Sequence, residues 1–185
     1  MNEKIYLDKS EMRSLKNCIL HGLYLGLYGF IKYLAIPFSE YLRYGVIRLF
    51  TPTIKSPAIS DGVMIWFPWN VNIDKQVSLN QGVIIDGFGG VTIKEGARIA
   101  AYACINTADH QFDDKDKLIK DQGYVVSSVT IEEDVWIGMG VKINKGVVIG
   151  KGSVIGSGAV VTKDIPPYSI AAGVPCKVIS QRGNS

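Results

Sequence analysis

The chain has 185 residues, of which 47% are hydrophobic and 20% are charged, so its composition excludes a disordered protein. Its formal net charge of +3 is too small to indicate a nucleic-acid-binding protein. The sequence contains two histidines, His21 and His110, which excludes a metal site that needs three histidines from one chain. The three cysteines, Cys18, Cys104 and Cys176, are odd in number and lack metal-ligand spacing, as expected for free thiols in the reducing cytoplasm.

The first 64 residues contain no sequence repeat and form a separate predicted segment. Apolar residues recur at helical spacing between Leu15 and Leu34, which predicts one or two amphipathic or mostly buried helices. The longest uncharged run, 17–31, has 15 residues and is too short to span a membrane. Two interpretations stay open. The helices cap the domain that follows, which we prefer, or residues 15–50 lie on a membrane surface.

Residues 65–180 are dominated by a six-residue repeat. With one slip of two residues and one longer break, twelve positions at this step are aliphatic: Ile73, Leu79, Ile85, Ile93, Ile99, Ile105, Ile131, Ile137, Ile143, Ile149, Ile155 and Val161. Alternate residues of a strand point to opposite faces, so each repeat predicts a short strand with its aliphatic residues inward, followed by a turn. Three strands to a coil predict a mainly β protein, a parallel β-helix with a short tail at 181–185.

The longer break in the repeat falls at residues 109–128. Removing these 20 residues restores the six-residue register, which predicts a loop that protrudes from an otherwise regular β-helix. Long loops inside compact domains are usually functional, and this one contains His110 near its start.

Three segments carry a resemblance to a known family: TADHQF at 107–112, VWIGMGVKINKGVVIGKGSVIGSGAVVTKDIPP at 135–167, and AAGVPCKVI at 171–179. Residues 65–180 resemble the left-handed β-helix, or hexapeptide-repeat, acyltransferases. Within that family they are most similar to the sugar and polysaccharide O-acetyltransferases related to galactoside, maltose and streptogramin acetyltransferases. The resemblance implies a left-handed coil, a homotrimer, and acetyl-CoA bound without any metal in the grooves between neighbouring subunits.

The same resemblance assigns roles to individual residues. His110 matches the catalytic histidine, which serves first as base and then as acid. The backbone amide of Met139 matches the thioester contact and is the candidate oxyanion donor. Trp136 and Asn80 match positions near the acceptor, although a subunit contact for Trp136 and a turn with positive φ for Asn80 are equally good interpretations. The matches to the family's cofactor-binding positions are Met139, Ser157, Thr162, Lys163 and Lys177.

These matches predict an acetyl-CoA-dependent O-acetyltransferase that modifies a sugar hydroxyl in surface polysaccharide or lipopolysaccharide biosynthesis, in the cytoplasm or at the inner face of the membrane. The alternatives are N-acetylation of an amino sugar or nucleotide-linked sugar, and a non-catalytic β-helix scaffold. One departure bears on the acceptor. The family's second acceptor-binding acid would fall near Phe88, where only Asp86 is close, and this argues against a simple galactoside.

Overall fold

The structure, a computed structural model, describes residues 4–8, 14–51 and 53–183. Two helices come first, α1 (Leu15–Gly29) and α2 (Ser39–Phe50). A solenoid of short parallel strands follows and occupies most of the remaining chain. The mainly β architecture and the stacked parallel strands confirm the fold predicted from the repeat.

The parallel strands form three sheets, which are the three sides of a prism. The first side contains β3 (Val71–Ile73), β6 (Val91–Ile93), β11 (Val129–Ile131) and β14 (Val148–Ile149). The second side contains β4 (Ser78–Leu79), β7 (Arg98–Ile99), β12 (Trp136–Ile137), β15 (Val154–Ile155), β17 (Ser169–Ala172) and the antiparallel β18 (Lys177–Gln181). The third side contains β2 (Met64–Trp66), β5 (Ile84–Asp86), β8 (Cys104–Ile105), β13 (Lys142–Ile143) and β16 (Val160–Val161).

The core is the stack of aliphatic side chains that the repeat predicts. Each of the twelve repeat positions is at most 2% exposed. They stack in register, so that Ile93 pairs with Ile73 on one side and with Ile131 on the other. Single parallel bridges from Ile59 to Leu79 and from Ile149 to Ile165 extend the prism beyond the twelve repeats. Burial of a continuous apolar column is what stabilises strands of two or three residues.

The corners of the prism need backbone that bends sharply. Gly140, Gly146, Gly152 and Gly158 all have positive φ, between 67° and 79°. A residue with a Cβ is strained in this conformation, which is why glycine recurs at the six-residue step.

Both helices pack on the first coil of the prism. The Tyr28 hydroxyl donates a hydrogen bond to the carbonyl of Val63 (2.9 Å), and the Arg43 Nε donates one to the carbonyl of Ile59 (2.8 Å). Tyr24 and Tyr28 are fully buried and stack on each other. One face of the helical segment therefore covers the strand edge that the first coil would otherwise expose. In the described ranges neither helix has the length and hydropathy of a membrane-spanning segment.

The predicted protruding loop leaves the prism between β8 and β11. Its two ends form the antiparallel strands β9 (Ala108–His110) and β10 (Tyr124–Val126), and β1 (Ile5–Leu7) pairs with the other edge of β10. We call residues 108–126 the ribbon. The ribbon is thus an ordered three-stranded unit together with β1.

Candidate active site

His110 lies at the end of β9, directly opposite Tyr124 in the register of the ribbon. The two rings are 4.6 Å apart between centroids and tilted by 36°. The imidazole is exposed. It is therefore held against an aromatic ring on one side and open to a ligand on the other.

Asp109 fixes the ribbon to the prism next to His110. Its carboxylate accepts a hydrogen bond from the Asn106 side chain (3.0 Å) and forms an ion pair with Lys145. Asn106 and Lys145 follow β8 and β13 on the third side of the prism. The backbone that carries the imidazole is consequently anchored to a rigid element within one residue of His110.

His110 opens into a cavity of about 740 Å³. The lining combines imidazoles, aromatic rings and carboxylates, and consists of His21, Trp66, Phe67, Asp86, Ala108, Asp109, His110, Phe112, Ile119 and Tyr124. Phe67 has φ 52°, a conformation that bulky residues rarely adopt, and such outliers cluster at functional sites. Aromatic walls with a few polar groups are typical of small-molecule sites.

Asp86 supplies a carboxyl group to this cavity from the end of β5. It accepts hydrogen bonds from the backbone N–H of Phe88 (3.1 Å) and from the Thr107 hydroxyl (3.5 Å). Burial raises the pKa of Asp86, and these hydrogen bonds oppose the rise. The remaining lone pairs can accept a hydrogen bond from a ligand hydroxyl.

His21 enters the same cavity from α1, a position that no sequence motif indicates. Its Nδ1 is 3.1 Å from the carbonyl oxygen of Asn17, and its Nε2 accepts the N–H of Phe67 (3.2 Å). Desolvation lowers the pKa of His21. Both ring nitrogens already have protein partners, so His21 builds the wall of the cavity and His110 is the imidazole available to a substrate.

The second side of the prism carries four of the predicted site residues, Trp136, Met139, Ser157 and Asn80. Trp136 is 55% exposed on β12. Met139 follows in the next turn, and Ser157 occupies the same place in the turn of the next coil. Asn80 is exposed after β4, and its backbone N–H pairs with the carbonyl of Ile99. The positive φ of that turn falls on Gly82, so Asn80 does not adopt the positive φ that the alternative interpretation required.

The turns at Met139 and Ser157 leave their backbone N–H groups available. In the first turn the Val141 N–H reaches back to the Gly138 carbonyl (3.4 Å), which places Met139 at the second turn position, followed by Gly140 with φ 67°. This is a type II turn. Neither the Met139 nor the Ser157 N–H donates to any residue that the structure describes. Both groups can therefore donate to a ligand.

The remaining predicted cofactor-binding residues lie at the far end of the prism. Thr162 and Lys163 are exposed after β16, and Lys177 is exposed at the start of β18. None of the predicted residues other than His110 lines the 740 Å³ cavity. One chain therefore keeps the imidazole apart from the candidate thioester contact. Among the described residues, no cluster of three or more His, Cys, Asp or Glu is arranged to hold a metal ion.

Residues 128–163 match the model of the bacterial transferase hexapeptide family (six repeats). The putative acetyltransferase SAV2555 of Staphylococcus aureus is 36% identical over 138 residues, which cover 74% of this chain and 68% of that protein. The chain belongs to the hexapeptide-repeat acetyltransferases. It spans about a third of another relative, the probable acetyltransferase Rv3034c of Mycobacterium tuberculosis (41% identical over 107 residues, 58% of this chain and 36% of that protein).

Solved structures of hexapeptide-repeat acetyltransferases extend the similarity to the whole chain. A maltose O-acetyltransferase from Clostridium difficile superposes with a TM-score of 0.84 at 25% identity and covers 99% of this chain and 94% of its own. The acetyltransferase VCA0836 of Vibrio cholerae, in complex with acetyl coenzyme A, has a TM-score of 0.82 at 25% identity. This match covers 94% of the present chain and 92% of VCA0836. The predicted family is confirmed, and the helical segment belongs to the shared fold.

Proposed function

We propose that this hexapeptide-repeat protein transfers the acetyl group of acetyl-CoA to a hydroxyl of a sugar. The observation that carries the proposal is the cavity in which the exposed imidazole of His110 faces aromatic rings and the carboxyl of Asp86. Aromatic faces such as Trp66 suit the apolar face of a pyranose, and a carboxyl group can orient its hydroxyls. A maltose O-acetyltransferase and an acetyl-CoA complex among the similar structures support the sugar and the donor.

The proposed reaction is a direct acyl transfer. His110 takes the proton of the acceptor hydroxyl as its oxygen attacks the thioester carbonyl, and a C–O bond forms. The Met139 N–H donates to the tetrahedral oxyanion, which needs a fixed donor at that moment. The C–S bond then breaks, and the imidazolium returns its proton to the thiolate of coenzyme A.

A homotrimer is part of the proposal because one chain does not join the two halves of the site. We place the His110 cavity of one subunit against the second side of its neighbour, where Trp136, Met139 and Ser157 are exposed. Thr162, Lys163 and Lys177 would then lie along the coenzyme, with the lysines meeting its phosphates as point charges. Asn80 would contact the acceptor from the same side of the prism. The resemblance of residues 65–180 to the sugar and polysaccharide O-acetyltransferases favours a surface glycan as the acceptor.

Calorimetry and a thiol-release assay test this function. We expect the protein to bind acetyl-CoA and to release thiol with at least one member of a panel of glycosides, amino sugars, nucleotide sugars and glycolipids. His110→Ala should keep the Kd for acetyl-CoA and lose about 10²- to 10⁴-fold in kcat, which is the usual contribution of a general base. If the protein binds no acetyl-CoA, the proposal fails in favour of a non-catalytic scaffold. If the products are acetylated on nitrogen, it fails in favour of N-acetylation.

A further inference from the structure

We propose that the outward face of α1 binds an anionic lipid surface. Five large apolar residues spaced by three or four positions form one line along this helix, and each is at least 51% exposed: Leu15, Ile19, Leu23, Leu27 and Phe30. We call these five residues the α1 stripe. A contiguous exposed apolar patch of this kind marks an interaction site.

The opposite face of α1 is already occupied. Tyr24 and Tyr28 are fully buried against the prism, and His21 contacts Phe67. Gly22 and Gly26 lie among the stripe residues and have nothing within 4 Å of the position of a Cβ. From residue 18 to residue 29 the helix contains no Lys, Arg, Asp or Glu, so it is apolar on its outward side as well, and the prism covers only the opposite side.

The charge of the helical segment identifies the kind of surface that supplies this cover. Residues 14–51 contain four basic residues, Lys16, Lys32, Arg43 and Arg48, and one acidic residue, Glu40. Of the basic residues, Arg43 is buried against the prism, and the other three are at least partly exposed. The 16 basic and 16 acidic residues elsewhere in the chain cancel, so the net charge of +3 resides in the segment that carries the stripe. Basic segments beside an apolar helix face are attracted to anionic lipid.

The same face of a second copy fits this surface less well than lipid does. The same segment on another copy carries the same positive charge, which opposes association, whereas an anionic bilayer carries the opposite charge. With 15 residues, α1 is about 22 Å long and shorter than a spanning helix. Its geometry is that of a helix lying in the plane of the interface.

This orientation has a consequence for the active site. His21 lines the His110 cavity from the side of α1 that faces away from the stripe. A helix with its side chains is about 10 Å wide. The cavity of a lipid-bound molecule would therefore lie about one helix diameter from the membrane. The lipid-binding proposal itself does not depend on the acetyl transfer proposed above.

Vesicle flotation of the full chain tests the proposal. Two variants are compared with the unsubstituted chain, and each adds one negative charge, either inside or outside the α1 stripe. Leu23→Glu places a carboxylate in the centre of the stripe, and Ile179→Glu places one at an equally exposed apolar residue on β18. The probes are vesicles of phosphatidylcholine with about 30 mol% phosphatidylglycerol, and vesicles of phosphatidylcholine alone. Sedimentation velocity of each protein without lipid reports its association state.

We expect the unsubstituted chain and Ile179→Glu to float with the anionic vesicles and much less with the neutral ones. Leu23→Glu should bind the anionic vesicles at least tenfold more weakly, with an unchanged sedimentation coefficient and circular dichroism spectrum. The proposal is overturned by absence of flotation, or by equal losses in both variants. It is also overturned if Leu23→Glu alters the association state, because the stripe is then an interface between copies.

Discussion

At the scale of single residues, the position of His110 depends on its neighbours. The Tyr124 ring lies against the imidazole, and the Asp109 carboxylate, one residue away, is held by Asn106 and Lys145. The imidazole itself is exposed and buries little apolar surface. Removing it therefore deletes a proton acceptor without opening a cavity in the core, and a loss of activity in His110→Ala would report chemistry rather than folding.

The candidate oxyanion donor can be deleted with little change to the fold. Met139 occupies the second position of a type II turn, where proline is favoured, so Met139→Pro removes the N–H and keeps the turn. We expect kcat to fall about 10²- to 10³-fold, as for loss of one oxyanion donor elsewhere. Steady-state kinetics with acetyl-CoA measure this, and thermal unfolding checks that the fold is intact.

Met139→Leu is the matched control for this substitution because it changes the side chain and keeps the N–H. It should retain kcat within about threefold, since an exposed side chain contributes little. Equal losses in the two variants would assign the effect to the thioether side chain and contradict the role of the backbone amide.

His21 predicts a dependence of stability on pH. Its folded-state pKa lies below the ordinary value of 6.5 because of desolvation, so its neutral form contributes stability above pH 6.5, and this stability is lost as pH falls through the folded-state pKa. Protonation also removes the acceptor for the Phe67 N–H. Urea unfolding between pH 7.5 and 5 should show a steeper loss of free energy in the unsubstituted chain than in His21→Gln. Parallel curves would contradict this account.

At the scale of elements, the ribbon is the part of the fold on which the chemistry depends. Gly123 has φ 90°, and a Cβ there would lie 2.7 Å from the carbonyl oxygen of Leu7 in β1. Gly123→Ala should therefore separate β1 from the ribbon and loosen the strand that bears Tyr124. We expect kcat to fall at least tenfold while calorimetry finds an unchanged Kd for acetyl-CoA, because the candidate coenzyme contacts lie on the prism.

Gly96→Ala separates this effect from the cost of a strained φ. Gly96 has φ 76°, but its nearest neighbours would lie 3.9 Å from a Cβ, so only the conformational penalty of about 1–2 kcal/mol applies. It should lower the melting temperature and leave kcat nearly unchanged. A comparable loss of kcat in both variants would show that global stability, not the ribbon, limits the activity.

The prism could be predicted from the sequence because its information is local and periodic. Each coil repeats the same inward positions, so Ile137 and Ile155 are assigned to the core by spacing alone. The packing of the helical segment could not be predicted in this way. It depends on single long-range contacts, such as those from Tyr28 to Val63 and from Arg43 to Ile59, that leave no pattern in the sequence.

The residues of the candidate site also fall into two groups, those that lie in sequence motifs and those that only the tertiary structure brings together. The resemblance pointed to His110 and Met139 because both lie in recognisable motifs. It did not point to His21, whose partner Phe67 is 46 residues away, or to Trp66 and Phe112 in the cavity wall. These residues line the proposed acceptor cavity, so the acceptor side of the site is the part that depends most on tertiary structure.

At the scale of the whole molecule, the proposed mechanism requires two chains. The structure gives one chain an imidazole in a cavity and, on another side of the prism, the exposed residues Trp136, Met139 and Ser157. In a cyclic trimer each subunit presents both surfaces, one to each neighbour, so three equivalent sites form. This arrangement predicts that a chain without the His110 imidazole and a chain without the Met139 N–H restore activity when they assemble in one trimer.

Mixed trimers of His110→Ala and Met139→Pro chains test this claim most directly. Each variant alone should be nearly inactive. In a cyclic trimer that contains both kinds of chain, one of the three interfaces pairs an intact His110 with an intact Met139, so about a third of the unsubstituted activity should return. Co-expressed, differently tagged chains purified on both tags would show this recovery in the thiol-release assay. Activity no higher than that of the two separate variants would contradict a site shared between subunits.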